Sequence, residues 1–155
     1  MQVPTAEDRS PGHACKLHRG WISDLQFLDT PAPAGFPWLL TASNDAEIAI
    51  WDTSRRDQRG AFQRVAFADD VHSSGVHAVH ALQRGGTTAL VSASKDGSVA
   101  VSAARPDGKI TAVRTWEAPF GGRVAKSARW RGEHIIAAGG QERCALPRSS
   151  QDVLP

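Results

Sequence analysis

The sequence predicts an all-β fold. Three observations carry this reading. Apolar and polar residues alternate in runs of roughly 4–8 residues, glycine and proline punctuate the gaps, and no window of a dozen residues holds a 3.6-residue period. Punctuation is dense, with 14 glycines and 9 prolines in 155 residues. Alanine is frequent here although strands are generally poor in it. Turn spacing and period outrank that single-residue propensity.

Along the chain, the first run lies between Leu17 and Leu28 and carries Ile22, Leu25 and Phe27. Trp38 to Ser43 is the second and Glu47 to Trp51 the third, with the proline-rich stretch from Asp29 to Pro37 as an inserted loop. Further runs are Gly75 to Leu82, Ala89 to Ser94, Ser98 to Ser102, Ile110 to Trp116, Arg123 to Trp130 and Ile135 to Ala138. Lys95-Asp96-Gly97-Ser98 and Pro106-Asp107-Gly108-Lys109 join neighbouring runs as tight hairpins, because glycine accepts positive φ and proline presets a turn angle. From Cys144 to Pro155 the strand pattern stops.

Composition excludes several classes. Hydrophobic residues at 41% and charged residues at 22% are close to a soluble globular average, which argues against wholesale disorder. No apolar run approaches the ~18–20 residues of a transmembrane helix. The first eight residues lack the basic start and apolar stretch of a secretory signal. Two cysteines, Cys15 and Cys144, are too few for a disulfide scaffold. These features predict an intracellular chain of the cytoplasm or nucleus, without membrane contact. A net charge of +2 does not by itself indicate nucleic acid.

The chain repeats itself. Ala42-Ser43-Asn44-Asp45-Ala46-Glu47-Ile48-Ala49-Ile50-Trp51-Asp52 aligns without gaps on Ala93-Ser94-Lys95-Asp96-Gly97-Ser98-Val99-Ala100-Val101-Ser102-Ala103. A weaker third copy runs from Ala138 to Pro147. Upstream, the segment from His18 to Leu25 matches that from His72 to Val79, and more faintly that from Phe120 to Ser127. The spacings are 54 and then 48 residues, slightly longer than the ~40–45 of a four-stranded repeat, and inserted loops absorb the excess.

The pattern of a His, then Ile-x-Asp-Leu, then Ser-x-Asp, then Ile-Ala-Ile-Trp-Asp resembles a WD40 repeat. The first copy, Lys16 to Asp52, ends in the Trp51-Asp52 dipeptide; the second keeps His72 and Asp96 but has Ser102-Ala103 in that place. The third has Phe120, Gln141 and Pro147 where the His, the Asp and the Trp would stand. The resemblance implies an incomplete β-propeller of about three four-stranded antiparallel blades. It divides the chain into a disordered segment 1–13, a partial repeat domain 14–146 with blades at about 14–67, 72–116 and 120–146, and a disordered tail 147–155. Closed propellers use about 4–8 blades. The expectation is therefore a fragment of a longer propeller, or a ring completed with another chain.

The resemblance also implies a role for the polar residues. His18, Thr41 or Ser43, Asp45 and Trp51 would form a hydrogen-bonded structural network in the first blade, and His72, Ser92 or Ser94, and Asp96 its counterpart in the second. Buried polar groups of this kind are tolerated when every member is satisfied. At the blade tops Arg19, Trp21, Asn44 and Lys95 are candidate partner-binding residues, with Trp21 as the aromatic anchor.

Other chemistries find little support. His72, His77 and His80 cluster, but His77 and His80 differ by an odd number on a strand and point to opposite faces. Cys15-x-x-His18 lacks the second half of a zinc site. Ser73-Ser74-Gly75 is not a nucleophile elbow, and Asp69-Asp70 reads as a solvated loop. Gly85-Gly86 and Gly121-Gly122 are turns without the strand-to-helix context of a phosphate loop. Arg55, Arg56, Arg59 and Arg64 are scattered, and Arg123, Lys126 and Arg129 alternate faces rather than forming one stripe. No catalytic residue, metal, cofactor or small-molecule substrate is therefore expected. The function expected is a non-catalytic scaffold that binds other proteins through its rim loops. The alternative is a nuclear chromatin- or nucleic-acid-associated protein binding through basic loops.

Overall fold

The computed structural model describes residues 17–28, 37–84, 87–117, 119–120, 123–131, 134–139 and 142–147. The N-terminal segment to residue 16, most of the loop from Asp29 to Pro37, the pairs Gly85-Gly86 and Gly121-Gly122, Ala118, Gly132, Glu133, Gly140, Gln141 and the tail beyond Pro147 lie outside them. The described chain is strand and turn: β1 (Ile22–Leu28), β2 (Trp38–Ser43), β3 (Ile48–Arg56), β4 (Phe62–Ala68), β5 (Val76–Arg84), β6 (Thr87–Ser94), β7 (Val99–Ala104), β8 (Ile110–Trp116), β9 (Ala125–Arg131), β10 (His134–Gly139) and β11 (Glu142–Pro147). Among the described residues, no helix is long and apolar enough to cross a membrane.

Three antiparallel sheets result, ordered β1-β2-β3-β4, β5-β6-β7-β8 and β9-β10-β11. Spatial order equals chain order, as short hairpins dictate. Two strands depart from the sequence reading. β4 was not expected, because Phe62 and Phe67 each carry an arginine over the ring, Arg56 at 4.5 Å and Arg64 at 4.0 Å, and its inward residues are the small Ala66 and Ala68. The register also shifts twice along the β3–β4 pair, which breaks the period-two signal. β11 corrects the expectation that strand structure stops at Cys144. Its pairing with β10 runs without a break from Gly139↔Glu142 to His134↔Pro147, one residue beyond the expected domain end. The first strand starts at Ile22 rather than Leu17, and the third extends to Arg56.

Four hairpins share one turn. At Ser43, Asp57, Ser94 and Arg105 the backbone N–H donates to the carbonyl four residues on, and that same residue's carbonyl accepts from the N–H three residues on. Such a turn ends on a residue with positive φ. Gly60, Gly97 and Gly108 fill that position at +79°, +89° and +82°. The first repeat has Ala46 there, at +71°.

Residues paired directly across strands share a sheet face, so the register sorts the core. Leu28, Leu40, Ile48 and Ile50 face the second sheet and pack with Val76, Val79 and Leu90. Val91, Val99 and Val101, on the second sheet's other face, pack with Ile135, Phe120 and Ala128 of the third. Buried alanines recur in both layers, among them Ala42, Ala66, Ala78, Ala93, Ala100 and Ala137. Their small size lets the sheets approach closely, which explains alanine in strands that disfavour it.

The first strands of consecutive sheets are strapped together by side chains. The Val79 N–H donates to Asp24 Oδ2 at 3.0 Å and the Ala81 N–H to Gln26 Oε1 at 2.9 Å. The Ser23 hydroxyl donates to the Val76 carbonyl. One step further, the Trp130 N–H donates to His80 Nδ1 at 3.3 Å. These acceptors satisfy N–H groups that an edge strand would otherwise leave unpaired. Arg129 reaches back across β5 to Asp24 at 3.3 Å.

Ala46 is the one non-glycine residue with positive φ among the described residues, and a side chain there is strained. Ala46→Gly is expected to raise stability by about 1 kcal/mol, read as a higher denaturant midpoint with an unchanged slope. An unchanged or lowered midpoint would contradict the turn geometry.

Candidate functional site

His18 precedes β1 on the segment 17–21, which crosses the end of the first sheet. Its ring is buried, with Nε2 2.7 Å from Thr41 Oγ1 on β2. The Trp51 indole N–H donates to the same hydroxyl oxygen at 2.8 Å from β3. The two rings meet edge to face at 5.7 Å. On the other side of the imidazole, Nδ1 lies 3.3 Å from Asp45 Oδ2, an ionic separation without good hydrogen-bond alignment. Asp45 is held in the turn by N–H donors of Arg19, Gly20 and Glu47. Gly20 permits this approach, since a Cβ there would stand 2.7 Å from the Asp45 nitrogen.

Proton roles follow from the partners. A carboxylate only accepts, so Nδ1 carries the proton and Nε2 accepts from the Thr41 hydroxyl. Trp51 thus donates to Thr41, the Thr41 hydroxyl donates to His18 Nε2 at 2.7 Å in preference to the Ala49 carbonyl at 3.4 Å, and the His18 Nδ1–H faces Asp45 across an ionic separation. Ser43 does not contact the histidine; its hydroxyl accepts from the Asp45 N–H at 3.2 Å.

The second sheet repeats the scheme with one change. His72 Nε2 lies 2.7 Å from Ser92 Oγ. Its Nδ1 lies 2.8 Å from Ser98 Oγ and 3.5 Å from Asp96 Oδ2. Ser98 in turn donates to Asp96 Oδ1 at 2.6 Å. Ser94 repeats the role of Ser43, accepting from the Asp96 N–H. The sequence places Ser98 in the turn and at the start of a strand, but does not show it as a member of this network. Its signal was its place two residues after the turn aspartate, where the first repeat has Glu47. Ser102 stands where Trp51 would be, buried, its hydroxyl without a partner among the described residues.

In the third sheet the seam turns apolar. Phe120, 2% exposed, packs over Gly139, where an added Cβ would meet its ring at 2.4 Å. Gly139 pairs with Ala125 as Ser43 pairs with Ile22 and Ser94 with Val76. Ala137 takes the place of Thr41 and Ser92.

Above the seams, the four candidate binding residues are exposed and three are linked directly. The Asn44 N–H donates to the Trp21 carbonyl at 2.8 Å, and Lys95 Nζ donates to Asn44 Oδ1 at 2.5 Å. Arg19 lies alongside, its backbone N–H on Asp45. Trp21 is 86% exposed.

The remaining polar groups have separate roles. His72 belongs to its seam, His80 accepts from Trp130, and among the described residues no group of three or more His, Cys, Asp or Glu gathers as a metal site would require. A cleft of about 430 Å³ between the first two sheets, at the end opposite the seams, is lined by Trp38, Ile50, Thr88, Arg105 and Pro106. The chain matches no protein-family model and no curated protein.

Burial pushes the Asp45 and Asp96 carboxyls up, but hydrogen bonds from N–H and hydroxyl donors outweigh it and hold both at about 2 against the ordinary 3.8. Burial likewise lowers the His72 imidazole below its ordinary 6.5, against the pull of Asp96. All three groups titrate lower when folded, so each adds stability above its unfolded pKa that is lost on acidification. The thermal midpoint should fall in two stages, beginning below pH 6.5 for His72 and again between about pH 4 and pH 2 for the aspartates. In an Asp45→Asn/Asp96→Asn variant the second stage should flatten. An equally steep second stage in that variant would contradict the assignment.

Proposed function

We propose that the chain is a non-catalytic binding scaffold built from WD40-type propeller blades. The observation that carries this reading is the repeated seam. In two successive four-stranded sheets a histidine links a strand hydroxyl to a turn aspartate, and the same turn holds Asn44 or Lys95 at the surface above. A seam of this kind makes the turn rigid, and a rigid turn presents its exposed side chains without an ordering penalty. Among the residues capable of acid–base chemistry, His18, Asp45, His72 and Asp96 are engaged in holding the turns. A closed ring needs at least four blades, so three blades alone would form an open arc. Its first sheet turns Leu25 and Phe27 outward at 55% and 59% exposure.

The reading through basic loops and nucleic acid has less support. Arg64 pairs with Glu47 and covers Phe67, Arg129 pairs with Asp24, Arg56 covers Phe62 and Arg114 covers Trp116. Cations engaged in this way are poorly placed to track a phosphate backbone.

The test is crosslinking of the tagged chain in a cell extract, with Trp21→Ala and Arg19→Ala variants beside it. Specific crosslinks should map to the rim and weaken in both variants. Crosslinks unchanged in both, or confined to the cleft at the opposite end, would count against the scaffold reading. Retention on DNA or RNA that falls steeply with salt would favour the alternative.

A further inference from the structure

We propose that the rim takes an acidic peptide, one apolar side chain of which sits on Trp21 while its carboxylates meet Arg19, Lys95 and Lys126. This rests on the scaffold reading above and names the chemistry of its partner.

The rim residues form one strip across the starts of three inner strands. Trp21 precedes β1 and is tied to Asn44, which holds Lys95; the Lys95 N–H donates to the Gly75 carbonyl at 2.9 Å, just before β5. His77 follows on β5, and because Arg129 and Trp130 meet Val79 and His80, Lys126 lies level with the start of β5; the His77 pKa, lowered by burial and then by the charges of Lys126 and Lys95, agrees with this. Lys126 is the second residue of β9 and is exposed. Strands β1, β5 and β9 run parallel to one another, since Asp24 and Gln26 meet Val79 and Ala81 in order, and Arg129 and Trp130 meet Val79 and His80 in order.

Charge along this strip is positive and available. Among the described residues Arg19 and Lys126 have no ion pair, and Lys95 bonds to a neutral amide. The two turn carboxylates face inward with their acceptor sites filled by Arg19, Gly20, Glu47, Ser73 and Ser98 donors. Of the other acidic side chains described at this end, Glu47 is paired with Arg64, and Asp70 and Glu117 line a separate recess with Ser73, Ser98 and Thr115 beside β8. A ligand carboxylate is therefore drawn to the inner strip and repelled from the outer recess.

Preorganisation adds to this. The Trp21 backbone is fixed by Asn44, so the exposed indole projects from a rigid base. Gly75 lets Asn44 lie against β5, since a Cβ there would stand 2.5 Å from Asn44 Oδ1. An amphipathic aromatic over a fixed backbone is the usual anchor of a peptide interface. Three cations along a strip that begins at one indole suit a short acidic peptide better than a nucleic acid, whose binding draws on roughly 6–10 phosphate contacts.

The experiment is selection of a phage-displayed random decapeptide library on the full chain, followed by affinity measurement with the enriched peptides. Enriched sequences should be rich in Asp and Glu about one aromatic or aliphatic residue. Lys95→Glu/Lys126→Glu should weaken them by roughly tenfold or more, Trp21→Ala should weaken them comparably, and Lys95→Arg/Lys126→Arg should retain binding. Enriched peptides without acidic bias that still require Trp21 would overturn the acidic assignment and leave the scaffold reading standing. Enrichment indifferent to every rim variant would overturn both. Displacement of an enriched peptide by a single-stranded oligonucleotide more readily than by the free peptide would assign the strip to nucleic acid and overturn the proposal.

Discussion

The architecture of the first two sheets depends on a buried imidazole that donates on one side and accepts on the other. His18 and His72 each join three pieces of chain distant in sequence: the approach segment, a central strand, and the turn beyond it. A neutral histidine is the one side chain that presents a donor and an acceptor on opposite edges of a rigid ring. With the Asp45 carboxylate, or Ser98 held by Asp96, facing the donor edge, the acceptor edge is left for a strand hydroxyl. The turn then cannot rotate independently of the strand, and the backbone N–H groups of Arg19, Gly20 and Ser73 gain a fixed carboxylate.

The second constraint is the edge of each sheet. Edge strands β1, β5 and β9 would expose N–H groups, and the chain covers those of β5 and β9 with acceptors from the preceding sheet, Asp24, Gln26 and His80. The contacts are specific in register where apolar packing alone would allow sliding, so they fix how each sheet sits on the next. Alanine-rich faces then bring the layers into contact. The third sheet keeps the packing but replaces the polar seam by Phe120 over Gly139, trading a directional joint for an apolar one.

Much of this was legible in the sequence. Alternation and turn chemistry located nine of the strands to within a few residues, and the gap-free match of Ala42–Asp52 to Ala93–Ala103 placed the two aspartate turns in equivalent positions. The choice between Thr41 and Ser43 was not legible. Both side chains lie on one strand near the histidine, and only the register shows that Thr41 meets the ring while Ser43 caps the turn. Strand β4 was hidden because its aromatic residues are covered by arginines and its core residues are alanines. Strand β11 was hidden because pairing to β10, rather than its own pattern, makes it extended. Ser98 escaped notice because a serine substitutes functionally for nothing in the first repeat; Glu47, its counterpart, stands 3.9 Å from His18 Nδ1 and pairs with Arg64 instead.

The central claim is that both histidines are directional joints between a turn carboxylate and a strand hydroxyl. It is tested most directly by the nitrogen chemical shifts of the two imidazoles in a labelled sample at neutral pH. The account predicts that His18 and His72 are each locked in the tautomer protonated at Nδ1, with Nε2 shifted as a hydrogen-bond acceptor. Protonation at Nε2, or a signal averaged between the two tautomers, would contradict it.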